Sequence, residues 1–302
     1  MNKKIITVSI LIISVLILSG CINDKEIFNH NGNKRLYQIY IPSTYDGSEK
    51  MPLVLAFHGG GGNSDNMKDK TGFNEIAERE EFIVVYPDGS GKLRDRLLSW
   101  NAGYCCGYAL ENNVDDVDFI RSLITELQNK YSIDQSMIFA TGHSNGAMMS
   151  YRLGSELSDI IAGIAPVAGS IGGRATEDSE EWIIPDPEKP VSVLAIHGLL
   201  DENVPYDGGT GENTRNTRVD KSVSESIHFW VEHNNCDTEP ISNTQGNITI
   251  DTYSNGNKGT EVVLITILNG GHYWPGTEQD PYQDIIAAEE IWDFFKDHPK
   301  QI

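Results

Sequence analysis

Basic residues are scarce in this chain, and metal-ligand patterns are missing from it. Lysine and arginine together number 23 in 302 residues, against 44 aspartates and glutamates, and the formal net charge is −21. Such a charge repels nucleic acid and anionic lipid headgroups, so neither is an expected partner. No His, Cys or Asp residues are paired at the spacing of metal ligands, so neither a metal nor another cofactor is expected.

Internal repeats and Pro- or Ser-rich linkers are also lacking, which favours one folded domain. Residues 22–34 are polar and aperiodic. We therefore predict a tether over residues 21–34 and a single domain over residues 35–302. The least regular stretch, residues 172–190, is acidic and contains prolines; it is either a surface excursion or a partial cover over a site.

A mostly apolar run, Ile5 to Leu18, follows two lysines at the N-terminus. It is too short for a comfortable membrane span and is typical of a secretory signal peptide, with an uncleaved anchor helix as the alternative. The residues LSGC that end at Cys21 resemble a lipobox, in which the cysteine is lipidated and becomes the mature N-terminus. We predict a signal peptide over residues 1–20, and a protein exported and lipid-anchored at Cys21 to the outer face of the cell membrane, or secreted. Membrane contact is expected only through this anchor.

Four cysteines are present, and three remain once Cys21 is assigned to lipid. An odd number in an oxidising compartment predicts one disulfide and one free thiol. We predict that Cys236 bonds either Cys105 or Cys106, which closes a loop of roughly 130 residues. The alternative is a vicinal bond between Cys105 and Cys106 that leaves Cys236 free.

Short apolar runs alternate with helix-length amphipathic segments along the chain. This order predicts an α/β fold with a mostly parallel central sheet and helices on both faces. The predicted strands are 36–41, 53–57, 82–86, 137–140, 161–167, 191–196 and 262–267. The predicted helices are 73–80, 114–130, 146–157, 222–233 and 284–295.

The segment Gly142-His143-Ser144-Asn145-Gly146 has the pattern G-x-S-x-G. A glycine-rich chain can produce that pattern as a simple tight turn. Here a predicted strand leads into it and a predicted helix leads out, which is the arrangement of a nucleophile elbow. Ser144 is therefore the candidate nucleophile.

A serine nucleophile needs an imidazole base, and a carboxylate must orient that base. Asp201 follows the predicted strand 191–196, with Glu202 and Asp207 as nearby competitors. His272 lies in a glycine-rich loop after the strand 262–267. The order Ser, acid, His makes Asp201 and His272 the candidate partners of Ser144.

A run of four glycines, residues 59–62, follows the predicted strand 53–57. A phosphate-binding loop would continue with Gly-Lys-Ser or Gly-Lys-Thr, and that continuation is absent. The run is instead typical of an oxyanion loop, with one N–H from about Gly60 and another from Asn145, the residue after the nucleophile.

Together these motifs resemble the α/β-hydrolase esterases of the polyhydroxybutyrate depolymerase-like type, which are similar to feruloyl and acetylxylan esterases of carbohydrate esterase family 1. The matching segments are HGGGGN (58–63), WNAGYCCG (100–107), VDDVDFI (114–120), GHSNGAMMS (142–150), HGLLDENVPY (197–206) and GGHYWPG (270–276). The resemblance implies the α/β-hydrolase fold and the triad Ser144, Asp201 and His272. It also implies that Trp100 and Trp274 lie near the site as substrate-binding residues, with core packing as the alternative.

The expected activity is that of an exported serine carboxylesterase acting through an acyl-enzyme. A neutral ester substrate is expected, with feruloyl or acetyl esters on polysaccharide fragments first, a hydroxybutyrate ester second and a peptide third. The hypothesis from another class is a non-catalytic surface lipoprotein that binds a ligand in a hydrolase pocket. Such a protein would be expected to have lost a triad member, and none is missing.

Overall fold

The computed structural model describes residues 25–214 and 217–301. The predicted signal peptide, Cys21 and the first residues of the predicted tether lie outside the described residues. Within the described ranges, no helix combines the length and the apolar character needed to cross a bilayer. In the same part of the chain, no three side chains of His, Cys, Asp or Glu converge as ligands for a metal ion.

The strands form one large sheet and one small sheet. In chain order they are β1 (Glu26–His30), β2 (Asn33–Tyr40), β3 (Met51–Phe57), β4 (Ile83–Pro87), β5 (Ile133–His143), β6 (Gly163–Val167), β7 (Gly172–Arg174), β8 (Trp182–Ile183), β9 (Ser192–Gly198), β10 (Val219–Asp220), β11 (Ile241–Gln245), β12 (Ile248–Tyr253) and β13 (Val262–Ile267). The large sheet has the order β1-β2-β4-β3-β5-β6-β9-β13-β12-β11, and β10-β7-β8 form the small one. The six central strands from β4 to β13 are parallel, and the outer pairings are antiparallel.

The helices cover both faces of the large sheet, as predicted. They are α1 (Ser64–Thr71), α2 (Phe73–Glu80), α3 (Gly107–Glu111), α4 (Asp116–Lys130), α5 (Asn145–Glu156), α6 (Val223–Asn234) and α7 (Ala287–Asp297). One apolar layer contains residues of α4, α5 and α6, among them Leu123, Met149 and Trp230. The layer on the other face contains residues of α1, α2 and α7, among them Met67, Ile76 and Trp292. Central strands buried on both faces explain the continuous apolar runs in the sequence.

The prediction that residues 21–34 form a tether is wrong for the described part of that segment. Strand β1 pairs in antiparallel register with β2. The turn between them is Asn31-Gly32, with φ of 49° and 78°, and Asn-Gly is the favoured sequence of a two-residue hairpin. Phe28 packs against Phe119 of α4 with ring centroids 6.1 Å apart. The folded domain therefore includes β1, whose hydrophobic residues are too few to stand out as a strand in the sequence.

The predicted disulfide of Cys236 is also wrong. The sulfurs of Cys105 and Cys106 contact each other, and Cys236 is a free, buried cysteine. Cys236 follows α6 and its sulfur lies 3.8 Å from the carbonyl of Thr260, just before β13 begins. Cys105 lies instead beside Asn145, just after β5 ends. The two segments are at opposite edges of the parallel strands, which are on the order of 17–20 Å long, so no disulfide can join them.

The acidic stretch 172–190 is a surface excursion. It contributes β7 and β8 to the small sheet, and Trp182 stacks on Tyr104 with centroids 6.3 Å apart. None of its described residues lines the cavity that holds Ser144. It packs against the segment that contains Cys105 and Cys106, and it does not cover the site.

Candidate active site

Ser144 occupies the sharp turn between β5 and α5. Its φ of 57° and ψ of −121° lie in a region that residues with a side chain rarely adopt. A Cβ on Gly146 would collide with the carbonyl of Phe57, and one on Gly142 would collide with the carbonyl of Gly146. The glycines at both ends therefore allow the helix to pass close to β3, which leaves the serine side chain at the carboxyl edge of the sheet.

The structure brings the three predicted triad residues into one hydrogen-bonded chain. Ser144 Oγ lies 2.9 Å from His272 Nε2, and His272 Nδ1 lies 2.8 Å from Asp201 Oδ2. A carboxylate can only accept, so Nδ1 carries the proton and Nε2 is left to accept from the serine hydroxyl. In this arrangement the imidazole is oriented to remove the serine proton.

Asp201 is buried, and its environment favours the ionised form. Its Oδ1 accepts hydrogen bonds from the backbone N–H groups of Asn203 and Val204 at 2.8 and 2.9 Å. Burial acts to raise the pKa of Asp201, but the bond from His272, the nearby His197 and the Val204 N–H outweigh it and hold the pKa below its usual range. The carboxylate therefore stays charged and able to orient His272.

The competing acids lie elsewhere. Glu202 is exposed and accepts a hydrogen bond from the side chain of Asn213. Asp207 is also exposed. The carboxylate bonded to His272 is that of Asp201.

The glycine loop after β3 lies against the serine turn. A Cβ on Gly59 would be 3.4 Å from the Cβ of Ser144, and one on Gly60 would be 3.7 Å from the Cβ of Asn145. His58 holds the loop, since its Nδ1 donates to the Gly59 carbonyl at 2.8 Å and its Nε2 accepts from the Gly89 N–H at 3.0 Å. Burial lowers the pKa of His58 to about 4, so the ring is neutral at pH 7. The two predicted oxyanion residues, Gly60 and Asn145, are thus side by side.

The two predicted substrate-binding tryptophans occupy different positions. Trp100 is fully buried beneath the site and does not line the cavity. Its backbone N–H donates to Asn145 Oδ1 at 2.7 Å, its carbonyl accepts from Asn145 Nδ2 at 3.0 Å, and its indole N–H donates to the His58 carbonyl. The prediction that Trp100 contacts substrate is therefore wrong, and its indole joins the serine turn to the glycine loop. Trp274 packs on Phe73 and lines the cavity.

Ser144 and His272 open into a cavity of about 1470 Å³. Its walls come from the glycine loop, the end of α1, the segment around Tyr108, the acid loop at Asn203 and the residues that follow His272. This volume exceeds the roughly 300–1,000 Å³ of a typical small-molecule site. The cavity is therefore large enough to hold a bulky ester.

Residues 35–180 match the family model described as Esterase PHB depolymerase. These residues belong to that esterase family. Feruloyl esterase B of Piromyces equi is 30% identical over 235 residues, which are 78% of this chain but 42% of that protein. The probable feruloyl esterase C of Aspergillus niger is 26% identical over 291 residues, 91% of this chain and 90% of that protein.

Solved structures of two esterases share the fold. An acetyl xylan esterase from Aspergillus awamori superimposes with a TM-score of 0.63 at 17% identity, over 90% of this chain and 98% of that one. A ferulic acid esterase of Anaeromyces mucronatus does so with a TM-score of 0.56 at 18% identity, over 91% and 89%. The α/β-hydrolase fold expected from the sequence is confirmed.

Sequence reasoning missed a buried cluster that joins the loop of Asp201 to the segment that contains Cys105 and Cys106. Arg218 donates to the Asn203 carbonyl at 3.0 Å and to Asp220 at 2.8 Å, and the hydroxyl of Tyr104 donates to the same carboxylate. The guanidinium of Arg218 also lies 3.6 Å from the sulfur of Cys105. Arg218 and Asp220 are two residues apart, but Tyr104 and Cys105 lie more than 110 residues away from them, so no local pattern could have indicated the cluster.

A second missed feature lies next to the candidate base. His143 is buried, and its ring lies 4.9 Å from the ring of His272, centroid to centroid. Its Nδ1 is 3.4 Å from the ammonium of Lys70, at the end of α1. Burial and the neighbouring His272 and Lys70 hold the pKa of His143 well below its usual range. The sequence offered no signal for this contact, because α1 was not predicted.

Proposed function

We propose that the protein is a serine carboxylesterase that hydrolyses carboxylic esters through an acyl-enzyme. One observation carries the proposal: the unbroken hydrogen-bonded chain from Asp201 through His272 to Ser144, which opens into a large cavity. The esterase names of the relatives support the same activity.

In the proposed reaction, Ser144 Oγ attacks the ester carbonyl carbon while His272 Nε2 takes the hydroxyl proton. The tetrahedral oxyanion accepts hydrogen bonds from the backbone N–H groups of Gly60 and Asn145. His272 then returns the proton to the leaving alcohol, and the acyl group stays on Ser144. Water then attacks the acyl carbonyl carbon while His272 Nε2 takes one of its protons. The bond between the acyl carbon and Ser144 Oγ breaks, His272 returns the proton to Oγ, and the carboxylic acid leaves. Throughout, Asp201 holds the imidazole and stabilises its positive charge.

Feruloyl or acetyl esters on polysaccharide fragments are the proposed substrates. The support is the naming of the relatives as feruloyl and acetylxylan esterases. Hydroxybutyrate esters are the second candidate, supported by the description of the family model. This chain spans 42% of the Piromyces equi protein. The activity of this chain as a whole protein is therefore part of the proposal.

Labelling with a fluorophosphonate separates the enzyme from a non-catalytic ligand-binding lipoprotein. The probe reacts with an activated serine, so we expect the native chain to be labelled and Ser144→Ala not to be. We also expect Ser144→Ala and His272→Ala each to reduce ester turnover by on the order of 10³-fold or more, since a triad acts as a unit. Ser150→Ala, whose hydroxyl donates to a helix carbonyl, is the matched control. Labelling of Ser144→Ala at the native rate would contradict the proposal.

Turnover on a panel of esters distinguishes the substrates. The panel contains methyl ferulate, acetylated xylan, short p-nitrophenyl esters and hydroxybutyrate oligomers. Apart from the p-nitrophenyl esters, we expect methyl ferulate or acetylated xylan to give the highest kcat/KM of the panel. Preference for hydroxybutyrate oligomers would favour the second candidate.

We further propose export and lipid attachment at Cys21. Only four residues separate Cys21 from the start of β1, so a lipidated chain would be held close to the membrane surface. Incorporation of a labelled fatty acid into the native chain, and its loss in Cys21→Ser, would support the anchor. Incorporation into Cys21→Ser would contradict it.

A further inference from the structure

Lys70 is a partly buried cation in the cavity of the candidate active site. It lies in the last turn of α1, which begins directly after the glycine loop, with Asn63 as its N-cap. The cavity that Lys70 lines also contains Ser144 and His272. Burial lowers the pKa of Lys70. Among the described residues, no carboxylate lies within 4.0 Å of its ammonium.

Other cations in the same cavity are neutralised by the protein. Arg79 pairs with Glu289 and Glu80, and Arg218 pairs with Asp220. Lys300, outside the cavity, also has a pKa lowered by burial, but its ammonium donates to two backbone carbonyls. The chain has 44 acidic residues, and none of those that the structure describes pairs with Lys70, which leaves its charge available to a ligand.

Among the described residues, the Lys70 ammonium has a hydrogen-bond partner only in His143, which does not compensate its charge. His143 Nδ1 lies 3.4 Å away and accepts from the ammonium, so the ring proton of His143 is on Nε2. That Nε2 is buried and has no hydrogen-bond partner among the described groups. The centroid of this neutral ring lies 4.9 Å from that of His272. His143 is therefore a neighbour both of the Lys70 ammonium and of the candidate base.

The helix terminus alone does not account for Lys70. A lysine in the last turn stabilises a helix by its interaction with the dipole. Lys68 lies in the same turn and can make this interaction with the dipole without lining the cavity. Placing a second lysine in the partly buried cavity costs desolvation that the dipole does not require.

We infer that Lys70 forms a subsite for a carboxylate carried by the ester substrate. The inference rests on the proposed esterase function and adds to it a substrate class, the monoanionic ester, in place of the neutral ester that the sequence predicts. A charge-assisted bond from a partly desolvated ammonium is stronger than a bond between neutral groups. It also offsets the repulsion that the acidic protein exerts on an anionic substrate. The carboxylate can belong to the acyl group or to the alcohol.

Two matched pairs of esters test the subsite and identify the side. In the acyl pair, mono-p-nitrophenyl glutarate carries a carboxylate where p-nitrophenyl valerate carries none. In the alcohol pair, 4-acetoxybenzoate is compared with its methyl ester. The measured quantity is the ratio of kcat/KM for the charged ester to that for its neutral partner, in the native protein and in Lys70→Met, Lys70→Arg and Lys68→Met.

We expect Lys70→Met to lower this ratio about tenfold for one pair, mainly through KM, because the lost bond is to substrate in its ground state. Lys70→Arg should keep most of the ratio, and Lys68→Met should leave it unchanged. The affected pair identifies the side that carries the carboxylate. Equal ratios in the native protein and Lys70→Met for both pairs would overturn the inference, while turnover of the neutral esters would leave the esterase proposal standing.

A binding measurement keeps the inference testable without turnover. By calorimetry, we expect 4-hydroxybenzoate or glutarate to bind Ser144→Ala about tenfold more tightly than Ser144→Ala/Lys70→Met. If the two variants bound each of the acids with equal affinity, the subsite would be overturned even if no ester were hydrolysed. Failure of the native protein to hydrolyse any ester would instead count against the proposed function.

Discussion

Asn145 combines two tasks at the residue scale. Its backbone N–H is a proposed donor to the oxyanion, and its side-chain amide bonds both the N–H and the carbonyl of Trp100. The G-x-S-x-G pattern indicates the first task. The second depends on Trp100, which is 45 residues away in the chain. The same residue thus contributes to the proposed chemistry and to the rigidity of the loop beneath it.

The acid of the triad can be tested by an amide substitution. Asp201→Asn should lower kcat by on the order of 10³–10⁴-fold, because an amide facing Nδ1 no longer selects the required tautomer of His272. Glu202→Gln should have little effect, since Glu202 is exposed and bonds Asn213. Steady-state kinetics on p-nitrophenyl acetate measure both. A severe loss in Glu202→Gln with near-normal Asp201→Asn would show that the acid is misassigned.

His58 predicts a pH dependence of stability. Its folded pKa is about 4, below the roughly 6.5 of an unfolded histidine. Between these values the unfolded chain binds more protons than the folded one, so the free energy of unfolding falls as the pH drops from 6.5 toward 4. The expected decrease in the free energy of unfolding reaches on the order of 3 kcal/mol near pH 4. Above about pH 6.5, the pKa of the histidine in the unfolded chain, His58 causes no such decrease.

The measurement is denaturant unfolding at several pH values. His58→Gln should flatten the dependence between pH 4 and 6.5, whereas His228→Gln, at an exposed histidine, should leave it as in the native protein. The same slope in His58→Gln and the native protein would contradict the prediction.

At the scale of elements, each helix that follows a parallel strand returns the chain to the opposite edge of the sheet. Loops at the carboxyl edge carry Ser144, Asp201 and His272, so three distant segments meet there. The end of α6 lies at the other edge, where Cys236 packs beside Thr260. The cysteine pairing follows from this geometry.

The free thiol of Cys236 can be tested by alkylation without reduction. In the folded protein the side chain is buried, and burial raises its pKa to about 11, so iodoacetamide at pH 8 should leave it unmodified. After unfolding in denaturant, Cys236 should be alkylated without any reductant. Peptide mapping measures both states. A cross-linked peptide that contains Cys236 would contradict the structure.

At the scale of the whole molecule, the N-terminal hairpin of β1 and β2 forms one edge of the large sheet and packs against the layer of α4. Lys25 pairs with Asp88 and Asp65, and Tyr37 donates to Glu26. These contacts are made by the segment that the sequence predicts as a tether. The domain therefore starts closer to Cys21 than its polar composition indicates.

Two alanine substitutions test whether β1 belongs to the folded domain. Phe28→Ala should lower the free energy of unfolding by on the order of 2 kcal/mol, because it removes a ring packed on Phe119. Ile27→Ala, on the exposed face of the same strand, should change it little. Denaturant unfolding measures both. Equal stability of Phe28→Ala and the native protein would restore the tether interpretation.

The sequence by itself determined the order and type of the central elements. Helix α2 is predicted over its observed residues, and the central parallel strands are predicted to within a few residues, because periodicity and burial on both faces act along neighbouring residues. The shortest or most polar elements, such as β1, α1 and β11, carry too few apolar residues for such a pattern. The candidate triad is also predictable, since the G-x-S-x-G turn and the loops after later strands have local signatures.

Only the tertiary structure decided which distant groups meet. The burial of Trp100 under Asn145, the separation of Cys236 from Cys105, and the position of Lys70 beside His143 each join segments that no local pattern connects. A sequence pattern reports whether a residue faces a core, but not which partner it finds there. Partners follow from strand order and from the edge of the sheet at which each loop emerges, and these are properties of the packed sheet as a whole.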